Sequence, residues 1–269
     1  MHPTILKDKE KVEKLRTELG EKYKRRVSSY GKVVSYSHPI LPDPFPKLLA
    51  IGNSERRKDF FHQYYFIHTR KKYIENLMPV SEYYKVVSMN VSQKLFDLDT
   101  AIASANQFAG EIKEIFQKNH IIRENTGQPF VPLQRQTQQL KQALAAYLFT
   151  SRSLFDCIAT LLQFLYGADS KYFDSFSDFL KDLKAGRVKD HDFSKFVEEN
   201  MAWFFRLRNL RDYVTHFGSL DISLYELPSG ELNLRVQDEY EMVELLNSSS
   251  SGIRKFMDFF DTHFSGPIR

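Results

Sequence analysis

The stretch from Gln134 to Tyr166 contains neither glycine nor proline, and its apolar residues recur at helical spacing. Leu144, Tyr147, Leu148, Leu154, Phe155, Ile158, Leu161, Leu162 and Leu165 fall along it, and Gly167 follows as a natural C-terminal cap. A helix of this length buries its stripe only against others like it, and the sequence supplies them. Ser92–Lys118 repeats the pattern with Leu95, Leu98, Ile102, Phe108, Ile112, Ile115 and Phe116. Residues 171–184 predict a shorter helix. Asp192–His216 predicts another long one, carrying Phe193, Phe196, Val197, Met201, Trp203, Phe204, Leu207 and Leu210. Glu239–Phe264 predicts the last, with Asn247–Gly252 either breaking it or letting a neighbouring helix approach closely. Between the last two helices, Ile222–Leu227 and Glu231–Val236 flank Pro228-Ser229-Gly230, a hairpin pattern. His120–Pro132 reads as a loop.

The expected fold class is therefore mainly α: an antiparallel helical bundle with a β-hairpin before the last helix. Ahead of it stands an irregular, proline-rich N-terminal extension. His38–Pro46 holds four prolines in nine residues and cannot be helix interior. Within the extension, residues 4–27 and 55–77 read as charged or aromatic helices, and residues 80–91 as a short strand or loop. The domain division expected is 1–90 for the extension and 91–269 for the bundle.

Composition narrows the function classes. The 23 Phe and 14 Tyr among 269 residues argue for a large core and against disorder. Eleven glycines are too few for folds built on repeated tight turns and close backbone approach. Cys157 is the one cysteine, so neither an internal disulfide nor a cysteine-based zinc site can form. It falls among apolar residues of a helix and reads as a small core residue. No apolar run approaches the ~20 residues that span a bilayer, and Met1–Glu10 lacks the apolar segment of a signal peptide. These features predict a cytoplasmic protein with no membrane partner. The net charge of +4 permits nucleic-acid binding without demanding it. Arg56–Lys58 and Arg70–Lys72 bracket an aromatic stretch that could track an RNA backbone and stack bases.

Phosphate-cradling glycine loops, a nucleophile elbow, a zinc-protease motif and a dinucleotide fingerprint are all missing from the sequence. No metal site and no cofactor are expected. His62 and His68, six apart, are poorly spaced for shared ligation on a helix. One segment carries chemistry: Trp203-Phe204-Phe205-Arg206-Leu207-Arg208-Asn209-Leu210-Arg211-Asp212-Tyr213-Val214-Thr215-His216-Phe217-Gly218. Three arginines precede a histidine at the end of an apolar helix.

Arg211-Asp212-Tyr213-Val214-Thr215-His216 resembles the ribonuclease motif of the HEPN superfamily (higher eukaryotes and prokaryotes nucleotide-binding): an arginine, usually a polar residue next, and a histidine after four to six intervening positions. The similarity spans roughly residues 92–269 and leaves the first 90 uncovered. It implies a metal-independent endoribonuclease acting on RNA. It also implies a homodimer in which two Arg/His pairs meet in a composite cleft. Arg211 and His216 are then the catalytic residues. The cellular role stays open between toxin, defence component and housekeeping factor.

The chemistry fits those residue types. Cleavage by the 2′-hydroxyl needs a proton acceptor or donor working near neutral pH, which imidazole supplies. A guanidinium meets the charge that gathers on the phosphate. At 3.6 residues per turn, however, Arg211 and His216 stand about 140° apart on the helix. Arg208 and Asp212 share a face, as do Asp212 and His216, so Arg208 rivals Arg211 for the phosphate role. Asp212 could orient the imidazole. Asn209, about 20° from His216, could touch substrate. Asp156 on the long helix is a further supporting candidate, as acidic residues near the motif are common in related bundles. The alternative is a non-catalytic nucleotide-binding or protein-interaction module. In it, Arg208–Asp212 is a plain ion pair and His216 complements the helix dipole.

Overall fold

The computed structural model describes residues 2–6, 14, 17, 18, 41–47, 64–68, 75–126, 133–166, 173 and 175–265. It is mainly helical. The elements run β1 (His2–Leu6), β2 (Tyr64–His68), β3 (Glu75–Pro79), α1 (Val80–Thr126), α2 (Gln134–Leu165), α3 (Phe176–Lys184), α4 (His191–Asn200) and α5 (Ala202–Phe217). Then come β4 (Ile222–Glu226), β5 (Leu232–Val236), β6 (Tyr240–Glu241) and α6 (Met242–Ser265). Among the described residues, no helix is long and apolar enough to cross a membrane.

The chain divides into two compact units. One comprises Met1–Gln93, Phe155–Lys189 and Phe259–Arg269; the other comprises Lys94–Leu154 and Asp190–Asp258.

In the first unit, β1, β2 and β3 form an antiparallel sheet with Thr4 opposite Phe66 and Phe66 opposite Leu77. The helix expected over 55–77 is thus corrected at Tyr64–His68 and Glu75–Pro79, which are strands. The run Tyr64-Tyr65-Phe66-Ile67 is aromatic and β-branched, and such residues favour a pleated surface. The same sheet takes Thr4–Leu6 from the helix expected over 4–27, while Lys14, Thr17 and Glu18 are helical. The rest of both segments lies outside the described residues.

The proline-rich segment is anchored where it is described. Phe45 is fully buried, with its ring 4.9 Å from that of Phe260. The Lys47 backbone N–H donates to the buried Asp261 carboxylate at 3.2 Å, and the Ser92 hydroxyl donates to the Pro42 carbonyl at 2.7 Å. Phe155, Phe173, Phe176 and Phe179 form a buried aromatic cluster in the same unit. Ser175 caps α3 by accepting from the Asp178 N–H at 3.2 Å. Past its C-terminus, Arg187 pairs with the buried Asp182.

In the second unit, α1 and α2 present Leu98, Ala105, Ile112, Leu140, Leu144 and Leu148 as buried apolar residues. Leu232, Leu234 and Val236 alternate inward along β5. The expected hairpin forms with Leu224 opposite Leu234, and β6 adds a third antiparallel strand that the sequence reading missed.

Three further expectations change. Residues 80–91 are helix, because α1 begins at Val80, and α1 persists to Thr126 through most of the expected loop. No glycine or proline interrupts it between Gly110 and Gly127. The single helix over Asp192–His216 is two, broken at Met201. There the Asn200 amide donates back to the Phe196 carbonyl at 3.1 Å and accepts from Lys255 at 2.6 Å. A side chain competing for helical carbonyls ends the first helix without any glycine or proline. Finally, α6 runs unbroken through Asn247–Gly252. Its small residues serve close approach instead. A Cβ at Gly252 would collide with the Nε1, Cδ1 and Cε2 atoms of Trp203.

Candidate functional site

The site is built on α5, in the second unit. Trp203, Phe204, Leu207, Leu210 and Val214 are buried. Their spacing holds one side of the helix against the core and turns the other outward. The opposite stripe is Phe205, Asn209 and His216, all exposed, flanked by the half-buried Arg208 and Asp212. Gly218 ends the helix in the left-handed conformation (φ 87°), and its N–H donates to the Val214 carbonyl at 2.8 Å. His216 therefore stands in the last turn of the helix.

Asp212 joins two arginines. Its carboxylate lies 2.9 Å from Arg211 Nη2 and 3.8 Å from Arg208 Nε. The arginines differ in access: the Arg208 side chain is 38% exposed and that of Arg211 is 19% exposed. The Arg211 Nε is buried without a hydrogen-bond partner. Access follows the helical wheel. Arg208 stands about 80° from His216, while Arg211 stands about 140° away at the margin of the buried side. No hydrogen bond or ion pair reaches His216 among the described residues. The structure brings Arg208, Arg211 and Asp212 together and leaves His216 and Asn209 open to solvent.

Asp156 belongs to the first unit. There its Oδ1 accepts from the Phe176 N–H at 3.3 Å, at the first turn of α3. The basic clusters Arg56–Lys58 and Arg70–Lys72 lie outside the described residues.

Two features of the second unit escaped the sequence reading. Phe217, beside His216, is 71% exposed, and its ring lies 4.7 Å from that of Tyr213. Its signal was present: a large apolar residue immediately before the terminating Gly218, seven residues past Leu210, where the apolar stripe reaches the helix end. The second is a cavity of about 360 Å³ between α1 and α6. Leu98, Ile102, Ile253 and Met257 line it, and the exposed Asp99–Arg254 pair (3.6 Å) stands at its edge. Periodicity alone could not show it, because it depends on how two stripes distant in sequence fail to close.

Among the described residues, no group of three His, Cys, Asp or Glu is placed to hold a metal ion. Comparison with protein-family models, curated proteins and solved structures gives no match.

Proposed function

We propose that this chain is a metal-independent endoribonuclease of the HEPN type, using the exposed side of α5 on an RNA phosphodiester. The observation that carries this reading is the placement of His216. It is an exposed imidazole, uncommitted to any hydrogen bond or ion pair among the described residues, in the last turn of a helix whose outward side also carries Arg208 and Asp212. His216 takes the proton from the 2′-hydroxyl as that oxygen attacks the phosphorus, or returns one to the departing 5′-oxygen. Arg208, the more accessible arginine, meets the phosphate oxygens. Asp212 holds the guanidinium in place, and Asn209 lies on the same stripe to touch substrate. Arg211, turned away from its own His216, acts across the homodimer that the resemblance implies. The antiparallel bundle arrangement belongs to the same proposal.

The test is incubation of the chain with total RNA, with and without EDTA, beside His216→Ala. Cleavage should persist in EDTA and fall about 10²–10⁴-fold in the variant, the range for loss of a general acid or base. Unchanged cleavage in His216→Ala overturns the assignment.

The ion pairs of Asp212 favour a second reading, a non-catalytic nucleotide-binding or protein-interaction module. There the charges satisfy one another along the helix and do no chemistry. It expects ligand or partner binding without RNA turnover, and no loss in His216→Ala.

A further inference from the structure

Phe217 is the most exposed large apolar side chain among the described residues, at 71%. Leaving a phenyl ring in water forfeits the stabilisation that burial would give it. Tyr213, one turn earlier, supports the ring at 4.7 Å with the planes inclined at 33°. The Tyr213 hydroxyl lies 3.5 Å from the Asp221 carboxylate. Gly218 then turns the chain sharply away with φ 87°. The outcome is a flat, supported aromatic surface at the tip of α5, adjacent in sequence to His216.

We propose that Phe217, backed by Tyr213, is a stacking platform for one unpaired base of single-stranded RNA next to the bond that His216 attacks. This rests on the ribonuclease reading of α5. The chemistry favours a base over other occupants. Attack by a 2′-oxygen requires it to line up with the departing 5′-oxygen through the phosphorus, a geometry that continuous base stacking opposes. An aromatic surface one residue along the helix from His216 draws one base out of the stack and offsets part of that cost. Base–aromatic stacking tolerates any sequence, because every base has a π-face. The larger surface of a purine stacks more strongly, so the preferred substrate is single-stranded with a purine beside the cleaved bond. Duplex RNA, whose bases are held in pairs, cannot use the platform.

The experiment is fluorescence anisotropy with the full chain and labelled 2′-O-methyl oligonucleotides, which cannot be cleaved by their own 2′-oxygen. The probes are adenine-rich, uracil-rich and blunt duplex. Phe217→Ala should weaken binding of the adenine-rich strand about 10-fold, the uracil-rich strand less, and the duplex not at all. Phe217→Leu, apolar but without a π-face, should behave like Phe217→Ala, whereas Phe217→Trp should retain wild-type affinity. Wild-type affinity in Phe217→Ala or Phe217→Leu overturns the proposal. So does a change in sedimentation alone, which would make Phe217 a contact between copies of the chain. The two levels fail separately. Phe217-dependent binding without cleavage of total RNA retains the platform and removes the ribonuclease. Cleavage that depends on His216 with binding indifferent to Phe217 does the reverse.

Discussion

The two sides of α5 obey different constraints. On the inner side, Trp203 lies so close over Gly252 that one additional carbon cannot be accommodated, and Leu207, Leu210 and Val214 are each less than 8% exposed. On the outer side, Arg208 and Asp212 meet at 3.8 Å with more than a third of each side chain in water, and His216 is exposed. Dense packing fixes the helix without leaving any group available for chemistry. The loose outer side contributes little to stability but keeps its charges available. The difference teaches that α5 is positioned by one set of residues and made useful by another. Substitutions on the two sides should then separate stability from function.

The most severe break on the inner side is Gly252→Ala. Alanine would gain about 1 kcal/mol of helix propensity over glycine. The collision with the indole outweighs this, since the obstructing atoms belong to a rigid buried ring. A net loss of about 3 kcal/mol is expected, at the upper end of the range for overpacking, measured by urea unfolding. A neutral or stabilising result would mean that the two helices separate easily.

Tyr147→Phe should cost less. Its hydroxyl lies 2.7 Å from the buried Ser249 Oγ, and Ser249 keeps its own bond to the Leu245 carbonyl at 2.6 Å. The loss should be about 1 kcal/mol. The substitution also has a pH signature. Burial raises the Tyr147 phenol above its ordinary value of 10.0. Above that pH the unfolded chain releases the proton while the folded chain retains it. Wild-type stability therefore falls as pH rises from 10.0 towards the folded pKa. The variant should lack this part of the alkaline decline, which thermal melts from pH 9 to 11 would reveal.

This division also explains what could be read in advance. Helices at Gln134–Leu165 and Met242–Ser265, and the hairpin around Pro228–Gly230, were legible because periodicity and turn residues are local signals. The break at Met201 was not, since it depends on Asn200 meeting Lys255 from a helix far along the chain. Strand β2 was hidden for a similar reason: Tyr64–His68 is aromatic enough for helix or strand, and its pairing with His2–Leu6 on one side and Glu75–Pro79 on the other decides. For the site, the wheel placed Arg208 with Asp212 and set Arg211 apart from His216, as the burial pattern also has it. The joining of Arg211 to Asp212 was not anticipated, because neighbouring residues in a helix do not share a face. The long arginine side chain reaches around.

That reach sets up the smallest expected effect and the sharpest use of the comparison. Asp212→Ala removes the partner of both arginines. Were the cluster a structural tie, its loss would resemble the removal of a buried carboxylate such as Asp182, 3% exposed and paired with Arg187. Charge-assisted hydrogen bonds of that kind contribute about 1.5–3 kcal/mol. At Asp212, which is itself 39% exposed, water solvates the freed guanidinium of Arg208 and only the more buried Arg211 loses a close partner, so the unfolding free energy should change by no more than about 1 kcal/mol. The functional change should be larger and split in sign. If α5 is the proposed ribonuclease site, removing a negative charge beside the phosphate lowers KM, while releasing Arg208 from its support lowers kcat. Steady-state cleavage of a single-stranded RNA reads both, and repeating it at higher salt should diminish the KM effect first, because exposed charges are screened. A stability loss of 2 kcal/mol or more with unchanged kcat would assign Asp212 to the inner side's role, and the two sides of α5 would no longer differ in kind.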